Sequence, residues 1–186
     1  MRRIGVAVGL LMMASALPAL ARESELQISP RAGHGELKID AFRGVNEKLE
    51  DLDTLGLGVS FGFLTPVGVL VEVGEENYGN FDLFDADDEF RLVQRYIGIG
   101  YQFELGDGWR LVPKVGRSHW KLTSEEGQLF NPGPEETRVI RGDEYFWEIG
   151  FGRRVSKVMA LGASVRSGDY DFGRASSLSF VMTFGF

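Results

Sequence analysis

The chain has 186 residues, with 20 Lys and Arg against 27 Asp and Glu, and a formal net charge of −7. An acidic chain without clustered Lys and Arg is not built to grip nucleic acid, which needs such clusters for its phosphates. With no Cys, it holds neither a disulfide nor a cysteine-linked lipid anchor, and its 25 glycines exceed the usual share of about 7%.

The first 21 residues read as a secretory signal peptide. Arg2 and Arg3 precede an apolar run from Ile4 to Leu17, Pro18 breaks it, and Ala19-Leu20-Ala21 supplies small residues at the cleavage positions. The run is shorter than the roughly 20 residues a spanning helix needs, which disfavours a membrane anchor. Cleavage after Ala21 leaves a single domain, residues 22–186, and takes the formal charge to −9.

Strand one is expected from about Glu25 to Phe42. Leu26, Ile28, Pro30 and Ala32 keep one parity and Leu37, Ile39 and Ala41 the other, which predicts a β-bulge at Gly33-His34-Gly35. Strand two, about Thr54 to Leu64, sets Leu55, Leu57, Val59, Phe61 and Phe63 against Gly56, Gly58, Ser60 and Gly62. Thr65-Pro66 turns the chain into strand three, about Val67 to Glu75, where Val67, Val69, Val71 and Val73 oppose Gly68, Leu70, Glu72 and Gly74.

Strand four, about Arg91 to Leu105, sets Val93, Ile97, Ile99, Tyr101 and Phe103 against Gln94, Tyr96, Gly98, Gly100, Gln102 and Glu104. Gly106-Asp107-Gly108 signals a tight hairpin into strand five, about Trp109 to Leu122. Pro113 is a mild objection within it, because proline removes a ladder donor. Strand six, about Glu144 to Arg154, shows Tyr145, Trp147, Ile149 and Phe151 against Phe146, Glu148, Gly150 and Gly152. Strand seven, about Lys157 to Ser167, shows Met159, Leu161, Ala163 and Val165 against Ala160, Gly162, Ser164 and Arg166. Strand eight starts near Arg174 and ends with Phe180, Met182, Phe184 and Phe186 at every second position.

The connections alternate in length. Those after strands two, four and six are a few residues long, whereas about 43–53, 76–90 and 123–143 are long and polar. Short turns on one side and long loops on the other suit an outer-membrane barrel with its short side and both termini in the periplasm. No stretch after residue 21 has the apolar length of a spanning helix. Spanning strands escape that test because each needs only about 9–11 residues, half of them facing inward.

A soluble ligand-binding barrel of similar strand count is the main alternative. It would turn the bulky face inward, and an interior of about eight strands is too narrow for so much Phe, Trp, Leu and Val. Facing lipid, the same pattern is sensible, with Tyr101, Phe103, Trp109, Phe184 and Phe186 as an aromatic girdle on the periplasmic side. The expected fold is therefore all-β: an eight-stranded antiparallel up-and-down transmembrane β-barrel.

The terminal strand resembles the last strand of bacterial outer-membrane barrels, and Leu111 through Trp120 is similar to a fifth-strand pattern of the small OmpA-like and OmpX-like group. That resemblance covers the whole mature chain. It implies outer-membrane location, contact with lipid and lipopolysaccharide, and recognition of Phe180, Met182, Phe184 and Phe186 by the barrel-assembly machinery. Nothing follows Phe186, so peptidoglycan anchoring is not expected.

Glu72, Glu104, Lys114, Glu148 and Arg166 fall on the small-residue face. Isolated charges in a low-dielectric interior are costly, so an ionic network is expected in which Lys114 and Arg166 compensate Glu72 and Glu148. The resemblance points the same way, since OmpA-like barrels carry paired acids and bases that close or gate the lumen. Structural neutralisation without transport is the favoured role.

Enzymatic chemistry finds little support. Ser118 and His119 are adjacent, but strand neighbours point to opposite faces and do not form a nucleophile–base pair. The acidic stretch Glu75 to Glu89 lacks the spaced ligands and central Gly of a calcium loop, although divalent-ion binding is a possibility for it. No cofactor is called for. Phe81, Phe84, Phe90, Phe130 and Tyr170 add aromatics to polar loops, as an outer surface for a partner or as packing above the rim. The expected function is in envelope integrity and adhesin-like surface interaction, exerted through the outer loops, with a narrow gated channel or small-ligand conduit as the alternative and a lipid A-modifying enzyme behind both.

Overall fold

The computed structural model describes residues 23–39, 52–79, 88–126, 137–170 and 173–186. The signal segment, Phe81, Phe84, Phe130 and residues 80–87 of the acidic stretch lie outside the described residues, as does the side chain of Phe90.

The described residues form eight antiparallel strands. Strand one is Glu25–Ile39, two Leu52–Leu64, three Val69–Gly79, and four Asp88–Tyr101 resuming at Phe103–Gly106. Strand five is Trp109–Glu126, six Thr137–Arg154, seven Met159–Tyr170 and eight Gly173–Gly185. Each pairs with its sequence neighbours, and strand one pairs with strand eight, so the sheet closes without an edge. Phe186 N donates to Leu26 O at 2.9 Å, locking the two ends of the chain together.

The short connections are built from their residues. Asp107, Gly106 and Gly108 all take positive φ (51°, 91° and 78°), which an Asp flanked by two glycines tolerates. At the turn after strand two, Gly68 N donates to Thr65 O at 3.0 Å with Gly68 at φ 92°. Strand four breaks at Gln102 for a traceable reason. Gln102 N donates to Gly68 O at 2.8 Å, on the strand-three side, so Tyr101 faces strand five. The register there, Gly100 with Lys114 and Phe103 with Leu111, sets Tyr101 opposite Pro113, which has no N–H to give. The break in the ladder is the cost of that proline.

Two sequence expectations are corrected. Strand one has no bulge: its register runs unbroken from Glu25–Leu64 to Leu37–Leu52, and against strand eight it keeps one offset on both sides of Ser29-Pro30, from Gln27–Gly185 to Ile39–Gly173. The switch in apolar parity marks a change in where apolar residues lie, from the outer belt to a small apolar core inside. Leu37 points inward into that core. The outer hairpins are also longer than expected. Strand three reaches Gly79, and strands five and six stay paired out to Glu125–Thr137, because ladder hydrogen bonds continue where the outward apolar residues have ended.

Facing out at mid-height are Leu57, Val59, Val73, Ile97, Ile99, Val115, Trp147, Ile149, Val165 and Phe180, all exposed to the surroundings. A continuous apolar belt of this kind is what hydrocarbon demands. Below it Trp109 stacks on Phe151 at 4.9 Å and Tyr101 lies 4.6 Å from Phe103, near the short-turn end.

Candidate functional site

The lumen is filled in three tiers. The middle tier is ionic. Alternation sends Arg31, Glu72, Glu76, Lys114, Glu148 and Arg166 inward from strands one, three, five, six and seven, and all six are buried. Three cations meet three carboxylates, so the tier is neutral.

Glu148, 1% exposed, is its hub. Lys114 Nζ lies 2.7 Å from its Oε1, and Arg31 Nη1 and Arg166 Nε each lie 2.9 Å from its Oε2. Register makes Glu148 the direct neighbour of Lys114 on one side and of Arg166 on the other. Glu72 Oε1 accepts from Arg31 Nη2 at 2.8 Å, from Lys114 Nζ at 2.9 Å and from the Tyr96 hydroxyl at 3.0 Å. Glu76 Oε2 accepts from the Tyr78 hydroxyl at 2.6 Å, and its Oε1 is 3.2 Å from Arg31 Nη1. Arg166 Nη1 approaches Glu76 Oε2 at 3.0 Å as an ion contact without hydrogen-bond alignment. The Arg166 guanidinium also lies 4.1 Å from the Tyr96 ring centre and 4.5 Å from that of Phe146.

The structure thus brings Glu72, Lys114, Glu148 and Arg166 together. Glu104 stands apart, exposed at the short-turn mouth, where it accepts from Gln102 Nε2 at 2.7 Å. Arg31 and Glu76 escaped the sequence reading. In strand one the apolar pattern marks the outward residues and hides the run Gln27, Ser29, Arg31 on the inner parity, and Glu76 lies in a stretch whose polarity reads as a loop.

The upper tier is apolar. Leu37, Tyr78, Leu92, Trp120, Leu122, Tyr170 and Ala175 pack together toward the long-loop end, with Trp120 and Tyr170 edge to face at 6.0 Å. Tyr170 is therefore inside the barrel and is not part of an outer aromatic surface. Much of the glycine excess finds its use here and just below. Gly56, Gly74, Gly116 and Gly142 each sit directly opposite a lumen aromatic on the next strand, respectively Tyr78, Tyr96, Phe146 and Trp120. A Cβ at any of them would collide with that ring.

The lower tier is polar and roomier. A cavity of about 50 Å³ lies between the ionic tier and the short-turn end, lined by Gln27, Ser29, Gln102, Arg110, Ser164 and Thr183 among others. It holds at most a few waters. Ser118 is buried in the wall while His119 is exposed on the other face, 3.2 Å from Asp143, so the two do not act as a pair. No cluster of metal-ligating side chains occurs among the described residues.

The sequence matches no protein-family model and no curated protein. Solved structures do match. Neisserial surface protein A is 13% identical, with a TM-score of 0.67, covering 89% of this chain and all of its own. Ail, the attachment invasion locus protein of Yersinia pestis, is 14% identical at a TM-score of 0.62, over 89% of this chain and 100% of that one. The N-terminal β-barrel domain of Pseudomonas aeruginosa OprF is 14% identical at 0.58, over 88% and 98%. The fold is that of the small outer-membrane β-barrels. The exposed apolar belt and the closed ladder are the physical features that the shared fold explains.

Proposed function

We propose that this chain is an integral outer-membrane barrel that works through its outer surface, in envelope integrity and attachment, and not through its lumen. The observation that carries the reading is the double closure of the lumen, by a neutral ionic tier and by an apolar tier above it. An ion crossing the barrel would have to part buried ion pairs and then enter an apolar plug, each step costly. That two similar barrels are by name a surface protein and an attachment protein is in keeping with this role. Residues 1–21 serve as the export signal, and Phe180, Met182, Phe184 and Phe186 as the strand read by the assembly machinery. The latter four form the outward parity of the strand that closes the barrel.

The test is single-channel recording of the refolded protein in planar bilayers, once a heat-dependent gel shift has verified the barrel. A silent bilayer is expected, for the wild type and for Lys114→Ala. Discrete openings that change with Lys114→Ala would replace this reading with a gated conduit, for which the lower polar cavity would be the vestibule.

A further inference from the structure

Above the apolar belt, the outer wall is unevenly charged. On strands four, five and six, the register rows on the lipid-facing parity read Ile97–Arg117–Tyr145, Arg95–His119–Asp143, Val93–Lys121–Arg141 and Arg91–Thr123–Val139. Apolar residues thin out from the first of these rows, leaving Val93 and Val139, and basic residues take most of their places. Among the described side chains, five permanent cations face out here against Asp143 and, from strand three, Glu75, before the next register row, Glu89–Glu125–Thr137. Asp143 is divided between Arg117 (3.4 Å) and His119 (3.2 Å), and Glu75 is engaged by Arg95 at 2.7 Å. This surplus stands out on a chain whose net charge is −7. Among the described residues, the opposite wall shows no such surplus at the same level: Arg174 is matched by Asp169 at 2.9 Å and Lys38 by Glu36 at 3.1 Å.

Position selects the ligand. A residue on the lipid-facing parity just beyond the belt meets headgroups and not bulk solvent. Paired residues on adjacent strands stand about 5 Å apart and alternate residues about 7 Å, so one phosphate can be gripped by two or three side chains. Guanidinium groups bind phosphate oxygens in bidentate fashion, and Tyr145, 72% exposed beside Arg117, suits the boundary between tails and headgroups. We propose that the wall formed by Arg91, Arg95, Arg117, Lys121 and Arg141 is a docking surface for the phosphate groups of outer-leaflet glycolipid. The inference rests on the membrane reading above and assigns one flank of the barrel to that lipid.

Binding of diphosphoryl lipid A and of its fully dephosphorylated form to the refolded mature chain in detergent micelles, followed by native mass spectrometry, tests this. The wild type is expected to prefer the phosphorylated lipid at least tenfold. The triple variant Arg117→Gln/Lys121→Gln/Arg141→Gln should lose that preference, and Lys38→Gln/Arg174→Gln should keep it. Equal binding of the two lipids by the wild type, or equal loss in both variants, would overturn the assignment. So would a heparin fragment that binds this wall while lipid phosphates make no difference. A chain with no heat-dependent gel shift would sink the membrane reading and this inference with it; a shifting barrel that ignores the phosphates would sink this inference alone.

Discussion

The two ends of the same strands obey opposite rules. At mid-height the barrel is charged inside and apolar outside: Glu148 and Arg166 face the lumen while Trp147 and Val165 face out. At the long-loop end it is apolar inside and charged outside, with Leu92, Trp120 and Leu122 buried and Arg91, Lys121 and Arg141 turned outward. Backbone pairing is identical in both regions, so the inversion comes from the surroundings alone. Hydrocarbon frees the outer face from polarity and leaves the inner face to be closed by ion pairs. Polar surroundings, headgroups first and then water, reverse the demand, and the long-loop end folds around a core like that of a small soluble barrel.

The largest effect should come from the middle. Glu148→Ala removes the shared anion of Lys114, Arg31 and Arg166 and leaves a net positive, buried tier. Breaking a buried ionic cluster on one side costs about 3–5 kcal/mol. Urea unfolding in lipid vesicles measures it, and a loss below about 1 kcal/mol would show that water enters the tier freely.

Moving a charge across the boundary sharpens the contrast. Val115→Lys places an ammonium in the belt and should cost about 2–4 kcal/mol. Lys121→Val, three rows further out on the same strand and face, should stay within about 0.5 kcal/mol of the wild type. Equal costs for the two would mean that the belt does not end between them.

Period-2 alternation made the fold legible almost residue by residue, because the outer face of a spanning strand must be apolar wherever it meets lipid. The same signal misled at the long-loop end. There Leu37 and Tyr170 are apolar residues that face inward, and a reader following apolar parity infers a bulge at Gly33 or an outer aromatic surface. The ionic tier was partly legible because Glu72, Lys114, Glu148 and Arg166 interrupt runs of small residues. Arg31 sits among Pro30 and Ala32, where the outward parity is itself weakly apolar, and its partners come from strands 41 and 117 residues away in sequence. Only the closed barrel brings those distances together.

Gly74 is where the effect most specific to the lumen should be read. The Tyr96 ring lies over it from the facing strand, and a Cβ there would strike the ring and its hydroxyl. That ring donates to Glu72, packs edge to face on Phe146 at 5.5 Å and supports the Arg166 guanidinium. Gly74→Ala should therefore cost about 1–3 kcal/mol, as overpacking of a filled interior does. The cause is separable by a double-mutant cycle. In a Tyr96→Ala background the collision has no partner, and Gly74→Ala should become nearly neutral in urea unfolding. If it remains as costly there, the glycine is needed for the backbone of strand three, and the ring above it is only a neighbour.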